Sequence, residues 1–157
     1  MEKSVILIGM PGCGKTTIGR ILSRELDLEL RDTDAEVVEM SGMSIPDIFS
    51  SSGEERFREL ETEALKNVLK EAPCIISCGG GVILREENRK LLKKGVTVFI
   101  ERPLSKLAKR GRPISLTRDI NDIYAERIDI YRACADITVK NDGPKKAVAE
   151  MIIKKLK

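Results

Sequence analysis

The order of apolar and polar residues along the chain predicts an alternation of strands and helices. Apolar or alternating segments of strand length lie at 5–8, 28–31, 74–77, 96–100 and 136–139. Between these segments the apolar residues recur every three or four positions, which is the spacing of one helix face. That spacing predicts helices at 15–26, 35–40, 44–49, 54–71, 86–94, 103–109, 120–134 and 144–156. Apolar strands separated by helices are typical of a doubly wound α/β fold, so we expect three αβα layers around a parallel sheet of about five strands.

The first predicted strand ends in a glycine-rich turn that a helix follows directly. The turn, Gly9-Met-Pro-Gly-Cys-Gly-Lys-Thr16, fits the phosphate-binding-loop pattern at every fixed position. Its glycines let the backbone curl so that N–H groups point at phosphate oxygens, and the helix adds the positive end of its dipole. In such loops the lysine, here Lys15, reaches the β- and γ-phosphates, and the Thr16 hydroxyl is placed to ligate Mg²⁺. The sequence therefore predicts a nucleotide site.

Composition narrows the class of protein. The 157 residues are 41% hydrophobic and 34% charged, which suits one domain, 1–157, with a sizeable core. The net charge of +3 and an aromatic content of 3% without tryptophan give no basic face or stacking platform for nucleic acid. A membrane span would need about 18 consecutive apolar residues, and the sequence has no such run and no signal-peptide pattern. We expect a cytoplasmic protein.

Histidine is absent from the sequence, and cysteine occurs at positions 13, 74, 78 and 134. Zinc sites that use histidine are therefore excluded, and we expect free buried thiols rather than disulfides. Without histidine, proton abstraction falls to a carboxylate, a lysine or water.

Two acidic residues, Asp32 and Asp34, follow the second predicted strand. If the backbone stays extended, both side chains point in the same direction. One carboxylate would then hold a water of the Mg²⁺ shell while the other accepts a proton from a substrate hydroxyl. The alternative is that one of them caps the next helix, a position that aspartate favours.

Three consecutive glycines, Gly79, Gly80 and Gly81, follow the buried strand at 74–77. A simple turn needs one or two glycines, so three favour a ligand held against bare backbone where any Cβ would collide. A flexible connector is the alternative. Ser77, just before them, is placed to bond a water of the Mg²⁺ shell. The carboxyl ends of parallel strands meet at one edge of a sheet, so we expect these glycines, the aspartates and the phosphate loop to share one site.

Two arginines lie on predicted helices beside this site. Arg58 borders the apolar stripe of its helix, and its alternative role is an ion pair with Glu54 four residues earlier. Arg127 falls on the stripe of helix 120–134, so it faces inward. An inward guanidinium needs an anion, either a buried protein carboxylate or the carboxylate of a ligand.

A basic loop at 110–118 contains Arg110, Arg112 and Arg118 among glycine, proline and serine. It is either a solvated surface loop or a lid that brings an arginine onto the transferring phosphoryl group.

Together these motifs resemble the shikimate kinase family, within the nucleoside-monophosphate-kinase-like group of phosphate-loop kinases. The resemblance covers nearly the whole chain. It rests on the segments 9–20, 32–34, 42–49, 53–58 with Glu61, 79–81, Arg112-Pro113 and Arg127-x-x-x-Tyr131.

The resemblance implies transfer of the γ-phosphoryl group of ATP, with Mg²⁺, to the 3-hydroxyl of shikimate on the way to chorismate and the aromatic amino acids. By matching positions, Asp34 would bind the hydroxyls and act as base. Arg58 and Arg127 would hold the shikimate carboxylate, and Gly79, Gly80 and Gly81 would pack against the ring.

The same resemblance implies Lys15 and a lid arginine, Arg112, as further catalytic groups, with Thr16 and Asp32 at the metal. Substrate helices would span about 34–62 and a short lid about 110–118. The segment between Arg110 and Arg112 is shorter than the family's usual lid, so Arg118 is the alternative lid arginine. We expect a monomer that binds shikimate and neither nucleic acid nor membrane. The nucleotide would contact Gly12, Cys13, Gly14, Lys15, Thr16, Thr17, Arg110 and Pro144, the last two sandwiching adenine.

Two other functions would give different sequence patterns. A kinase of another small hydroxylated acid, such as gluconate, would lack the combination of Asp-Thr-Asp, three glycines and Arg127-x-x-x-Tyr131. A nucleotide-dependent switch or nucleic-acid ATPase would need a larger basic face or aromatic platforms.

Overall fold

The computed structural model describes residues 2–71, 73–107 and 120–157. Five parallel strands form one sheet in the order β2-β3-β1-β4-β5. The strands are β1 Val5–Ile8, β2 Leu30–Asp32, β3 Ile75–Ser77, β4 Val96–Glu101 and β5 Ile137–Lys140. The predicted parallel α/β fold is therefore confirmed.

Helices connect these strands, as parallel pairing requires. They are α1 Lys15–Leu26, α2 Thr33–Ser41, α3 Ile45–Lys70, α4 Glu86–Leu92, α5 Ile120–Cys134 and α6 Lys145–Leu156. Single 3₁₀ turns lie at Val82–Leu84 and Leu104–Lys106. The second of these replaces the helix expected at 103–109, whose last two residues lie outside the described part of the chain.

Helix α3 contains both helices predicted between positions 44 and 71. Ser44 caps its start, because the Ser44 hydroxyl accepts a hydrogen bond from the Asp47 N–H at 3.2 Å. At Gly53 the backbone has φ 85° and ψ 171°, which interrupts the helix where the sequence had suggested a break. Glycine adopts this positive φ without a Cβ clash, so the chain changes direction here.

The apolar side chains form two clusters. The main core lies on the sheet and includes all of β1, which is fully buried. A smaller cluster between α2 and α3 contains Val37, Ile48, Phe57, Leu60 and Ala64. Among the described residues, no helix is long and apolar enough to cross a membrane.

The backbone does not stay extended through 32–34, so the condition for a shared direction of the two aspartates is not met. Helix α2 begins at Thr33, immediately after β2, so Asp32 and Asp34 do not share a strand face. The Asp32 carboxylate caps the helix by accepting hydrogen bonds from the N–H groups of Asp34 at 2.8 Å and Ala35 at 3.2 Å. The capping alternative therefore holds for Asp32, while Asp34 lies in the first helical turn.

Candidate active site

One cavity of about 530 Å³ lies at the carboxyl ends of the strands. It brings together the phosphate loop, both aspartates, the three glycines and both arginines, as the strand order requires. The lining consists of Pro11, Gly12, Gly14, Lys15, Thr16, Thr17, Asp32, Asp34, Ile45, Pro46, Phe49, Phe57, Arg58, Glu61, Ser77, Cys78, Gly79, Gly80, Gly81, Arg102, Arg127 and Lys145.

The phosphate loop has the backbone conformation that its glycines allow. Gly12 and Gly14 have φ values of 82° and 102°, in the region that residues with a Cβ rarely adopt. Lys15 is 9% exposed as a residue, and its ammonium donates hydrogen bonds to the carbonyls of Gly9 at 2.8 Å and Met10 at 3.1 Å. The lysine is thus held inside the curl of the loop, beside the backbone that would receive a phosphate.

Side chains from the other half of the sheet hold the loop from outside. Asn141, after β5, donates to the Cys13 carbonyl at 2.7 Å, and Arg102, after β4, donates to the Gly12 carbonyl at 2.8 Å. The Cys13 side chain is buried, and its N–H donates to the Met10 carbonyl at 3.1 Å. All four cysteines are free thiols, as expected, and Cys134 alone is only partly buried.

The three glycines are each required by a different part of the site. A Cβ on Gly79 would lie 2.9 Å from Asp34 Oδ1 and 3.1 Å from Glu61 Oε2. One on Gly80 would lie 2.8 Å from the Pro11 ring. A third, on Gly81, would overlap the guanidinium of Arg58. The bare backbone therefore makes room for the site's own side chains.

Two hydrogen bonds fix this glycine segment. The Gly79 N–H donates to the Thr33 hydroxyl at 3.2 Å, and the Tyr131 hydroxyl donates to the Gly80 carbonyl. The Tyr131 ring is fully buried and stacks on Phe99 with centroids 5.0 Å apart. Burial raises the pKa of Tyr131, so its hydroxyl stays protonated and remains a donor. These contacts argue against a flexible connector.

Arg58 is buried on α3 and lies between two carboxylates. Its Nη1 contacts Glu61 Oε1 at 3.0 Å, and its Nη2 contacts Glu54 Oε2 at 3.3 Å. The expected pair with Glu54 is present, but Glu54 is more than half exposed whereas the Glu61 side chain is fully buried. Glu61 is therefore the stronger partner, because a buried pair is less screened by water.

Burial raises the pKa of Glu61 to about 7. Its Arg58 neighbour opposes this shift, Asp34 adds to it through like-charge repulsion, and Arg127 opposes it. Glu61 belongs to the resemblance, but no independent sequence argument singles it out. The signal that could have identified Glu61 is its position three residues after Arg58, on the same helix face.

Arg127 is on α5 and is only 1% exposed, as its place on the apolar stripe predicts. Its Nε and Nη1 are buried and have no hydrogen-bond partner among the residues that the structure describes. Buried donors without a partner are costly, so this group is suited to an anion that enters the cavity.

An apolar wall completes the cavity on the side of α3. It consists of Ile45, Pro46, Phe49 and Phe57, and the two phenylalanine rings pack with centroids 4.9 Å apart. These residues lie within the expected substrate helices at 34–62, but no sequence pattern assigns any of them an individual role, because a helical stripe does not distinguish core from cavity wall. Beside two guanidinium groups, this wall suits a small organic acid with one apolar face.

The metal prediction rests on Thr16 and Asp32, which both line the cavity together with Ser77. They supply oxygen donors, which Mg²⁺ prefers, and few protein ligands suffice when phosphate oxygens complete the shell. No cluster of three or more acidic or cysteine residues that could hold a metal by itself occurs in the described ranges. The residues therefore fit a metal that arrives with a nucleotide.

Several predicted nucleotide residues do not line the cavity or cannot be placed. Pro144 is exposed and precedes α6, and its neighbour Lys145 lines the cavity instead. The predictions for Arg110, Arg112 and Arg118 lie outside the described residues.

Comparison with known proteins assigns the chain to a family. The family model described as shikimate kinase matches residues 11–157. A shikimate kinase of Caldicellulosiruptor bescii is 47% identical over 150 residues, covering 89% of this chain and 87% of the relative. Two solved structures each cover 98% of this chain. They are a shikimate kinase from Acinetobacter baumannii in complex with shikimate, with TM-score 0.90, 31% identity and 92% of that chain covered, and a shikimate kinase from Aquifex aeolicus, with TM-score 0.87, 38% identity and 95% covered. This chain therefore belongs to the shikimate kinase family of ATP-dependent kinases.

Proposed function

We propose that this protein transfers the γ-phosphoryl group of ATP to the 3-hydroxyl of shikimate, giving shikimate 3-phosphate and ADP. The observation that carries the acceptor assignment is the buried Arg127, which has two nitrogen atoms, Nε and Nη1, without a described partner and lines the same cavity as Lys15 and Asp34. A carboxylate is an anion that a guanidinium binds well, through charge-assisted hydrogen bonds.

The acceptor would lie between the two arginines and the three glycines. Arg58 already pairs with Glu61, so Arg127, with two nitrogen atoms that have no described partner, is the group with donors left for the acid. The ring would lie against Gly79, Gly80 and Gly81, with Phe49 and Phe57 beyond it. The Asp34 carboxylate, next to Gly79, would orient the hydroxyl and accept its proton.

The donor would bind with its β- and γ-phosphates on the phosphate loop. Lys15 would exchange its bonds to the Gly9 and Met10 carbonyls for phosphate oxygens. Residues Gly12, Gly14, Thr16 and Thr17 line this part of the cavity. Cys13 would contribute backbone alone, because its side chain is buried.

Thr16 and Asp32 would hold the Mg²⁺ that accompanies ATP, with Ser77 bonding a water of its shell. A metal held by these residues would supply positive charge against the β- and γ-phosphates. Asp32 already caps α2, which fixes its carboxylate at this edge of the sheet.

We further propose that Arg112, or Arg118 in its place, acts from the lid on the transferring phosphoryl group. Arg110 and Pro144 would sandwich adenine. We also infer a cytoplasmic monomer that binds neither nucleic acid nor membrane. These proposals rest on the family resemblance and on the even distribution of charge in the sequence.

A coupled assay for ADP release, with shikimate, quinate and gluconate as acceptors, tests the function. Shikimate should be phosphorylated with the highest kcat/KM, and the product should carry phosphate at the 3-hydroxyl by NMR. Higher kcat/KM on gluconate would replace the proposed acceptor.

Asp34→Asn tests the mechanism in the same assay. Turnover should fall by roughly 10²- to 10⁴-fold, the usual contribution of a positioned acid or base. Shikimate and ADP should still bind by calorimetry. Turnover near the unsubstituted level would remove the role of Asp34 as base.

A further inference from the structure

The cavity has two halves that the strand order separates. The phosphate loop follows β1 at the centre of the sheet, and β3 and β2 on one side carry the glycines and aspartates of the acceptor half. The other half, beyond β4 and β5, is left for the remainder of the nucleotide. Two basic residues, Arg102 and Lys145, line the cavity there.

Arg102 is the residue that follows β4 directly, and the sequence motifs do not include it. Because β4 pairs with β1, its end lies beside the phosphate loop, and Arg102 Nη1 donates to the Gly12 carbonyl at 2.8 Å. This bond uses one donor of a side chain that has five. The Nε donor is buried and has no partner within the described ranges.

The charge of Arg102 is also uncompensated in the described part of the chain. The adjacent carboxylate, Glu101, contacts Arg132 at 3.4 Å, and the described residues include no carboxylate paired with Arg102. Lys145 is tied to the loop indirectly, through Asn141, which accepts from its ammonium at 3.1 Å and donates to the Cys13 carbonyl. The Arg102 guanidinium is therefore fixed by a neutral carbonyl, has further N–H donors that are not used, and lines the cavity beside the phosphate loop.

We propose that Arg102 is a nucleotide-binding residue that contacts an oxygen of the phosphate chain while it fixes the loop through the Gly12 carbonyl. A guanidinium suits this position because its planar fork can donate in two directions at once. The inference rests on the proposed nucleotide site but not on the identity of the acceptor.

Calorimetric titration of the full chain with ADP and Mg²⁺ tests the proposal, using Arg102→Gln, Arg102→Lys and Arg102→Ala. Glutamine keeps a neutral N–H donor on a shorter side chain but loses the charge, whereas lysine keeps the charge. A phosphate contact predicts that Arg102→Gln and Arg102→Ala weaken ADP binding by about tenfold or more, while Arg102→Lys loses less. The loss of affinity should be smaller at about 0.5 M salt than at about 0.05 M salt. Salt screens the attraction between the guanidinium and the phosphate in the unsubstituted protein, so less is lost when the guanidinium is removed.

Full ADP affinity in Arg102→Gln would overturn the proposal and leave Arg102 as a support for the loop. Equal losses in all three variants support the proposal if they shrink with salt, and overturn it if they do not. Arg132→Gln is the matched control, since it removes an exposed guanidinium from the neighbouring Glu101 and should leave the Kd for ADP unchanged.

Shikimate binding separates this inference from the proposed function. The Arg102 variants should bind shikimate as the unsubstituted protein does, which also shows that they fold. If the unsubstituted protein binds ADP but fails to phosphorylate shikimate, the acceptor assignment fails and the ADP titrations still decide the role of Arg102.

Discussion

The α3 and α5 walls of the acceptor pocket each present a buried arginine, yet they satisfy it differently. Arg58 on α3 is 7% exposed and contacts Glu61 and Glu54. Arg127 on α5 is 1% exposed, and two of its nitrogen atoms have no hydrogen-bond partner in the described part of the chain. Among the described residues Arg58 thus has two carboxylate partners, whereas Arg127 has two nitrogen atoms that suit an entering anion. We infer that Arg127 costs folding free energy in the free protein and regains it when a carboxylate binds.

Replacing the unpaired arginine should produce the largest change. Arg127→Met keeps most of the apolar stem and removes the charged group, so we expect the KM for shikimate to rise by roughly 100-fold. The KM for ATP should change less than about twofold, because the phosphate loop is untouched. Steady-state kinetics with each substrate varied in turn measures both. Arg132→Met, an exposed position on the same helix, is the control, and equal losses for both substrates would contradict the assignment.

The two walls should also respond oppositely in stability. Arg127→Met removes a buried guanidinium with two unsatisfied nitrogen atoms and should raise the free energy of unfolding by about 1 kcal/mol. Arg58→Met leaves Glu61 buried without its partner and should lower the free energy of unfolding by about 3 kcal/mol. Urea unfolding without ligands at pH 8 measures both values. Adding Glu61→Gln to Arg58→Met should recover most of the loss, and destabilisation by Arg127→Met would show that this arginine is already satisfied.

Two neighbouring glycines contact different parts of the cavity. A methyl group on Gly81 would meet the end of the Arg58 side chain, which can move, whereas one on Gly80 would meet the rigid Pro11 ring of the phosphate loop. Gly81→Ala should therefore raise the KM for shikimate by about tenfold, because a displaced clamp loses alignment. Gly80→Ala should chiefly raise the Kd for ADP. Identical effects of the two substitutions would mean that the segment moves as a whole.

The smallest effect is a pH dependence that Glu61 imposes. Burial raises its pKa from the usual value of 4.5 to about 7, so it is mostly neutral at pH 6 and ionised at pH 8. Neutral Glu61 leaves the charges of Arg58 and Arg127 less opposed, so shikimate should bind severalfold more tightly at pH 6. Calorimetry at both pH values measures this, and Glu61→Gln should abolish the difference.

The same shift fixes the sign of a stability change. The folded state binds the Glu61 proton more tightly than the unfolded state, so the Glu61 contribution to stability falls as pH rises from 4.5 through about 7. The stability of Glu61→Gln relative to the unsubstituted protein should therefore increase over this range.

Local pattern predicts much of this molecule. The strand at Val5–Ile8 and the helix at Lys15–Leu26 occur at their predicted bounds, because an apolar run and a glycine loop define both ends. The inward position of Arg127 follows from helical periodicity alone.

Features that depend on long-range pairing could not be predicted in this way. Arg102 has no periodic context, and its contact with Gly12 exists because β4 pairs with β1. The cap at Asp32 depends on one residue of difference in where β2 ends, which propensity does not resolve.

The small cluster between α2 and α3 has a consequence for local hydrogen exchange. Phe57 belongs to that cluster, whereas Leu65 and Val68 on the same helix belong to the main core, so α3 joins two separately packed bodies. A substrate held by Arg58, beside the small cluster, and by Arg127, beside the main core, would connect these two packed regions. Backbone amides around Val37 and Ile48 should then exchange their hydrogens more slowly once the acid is bound, while those of the central strand stay as they were.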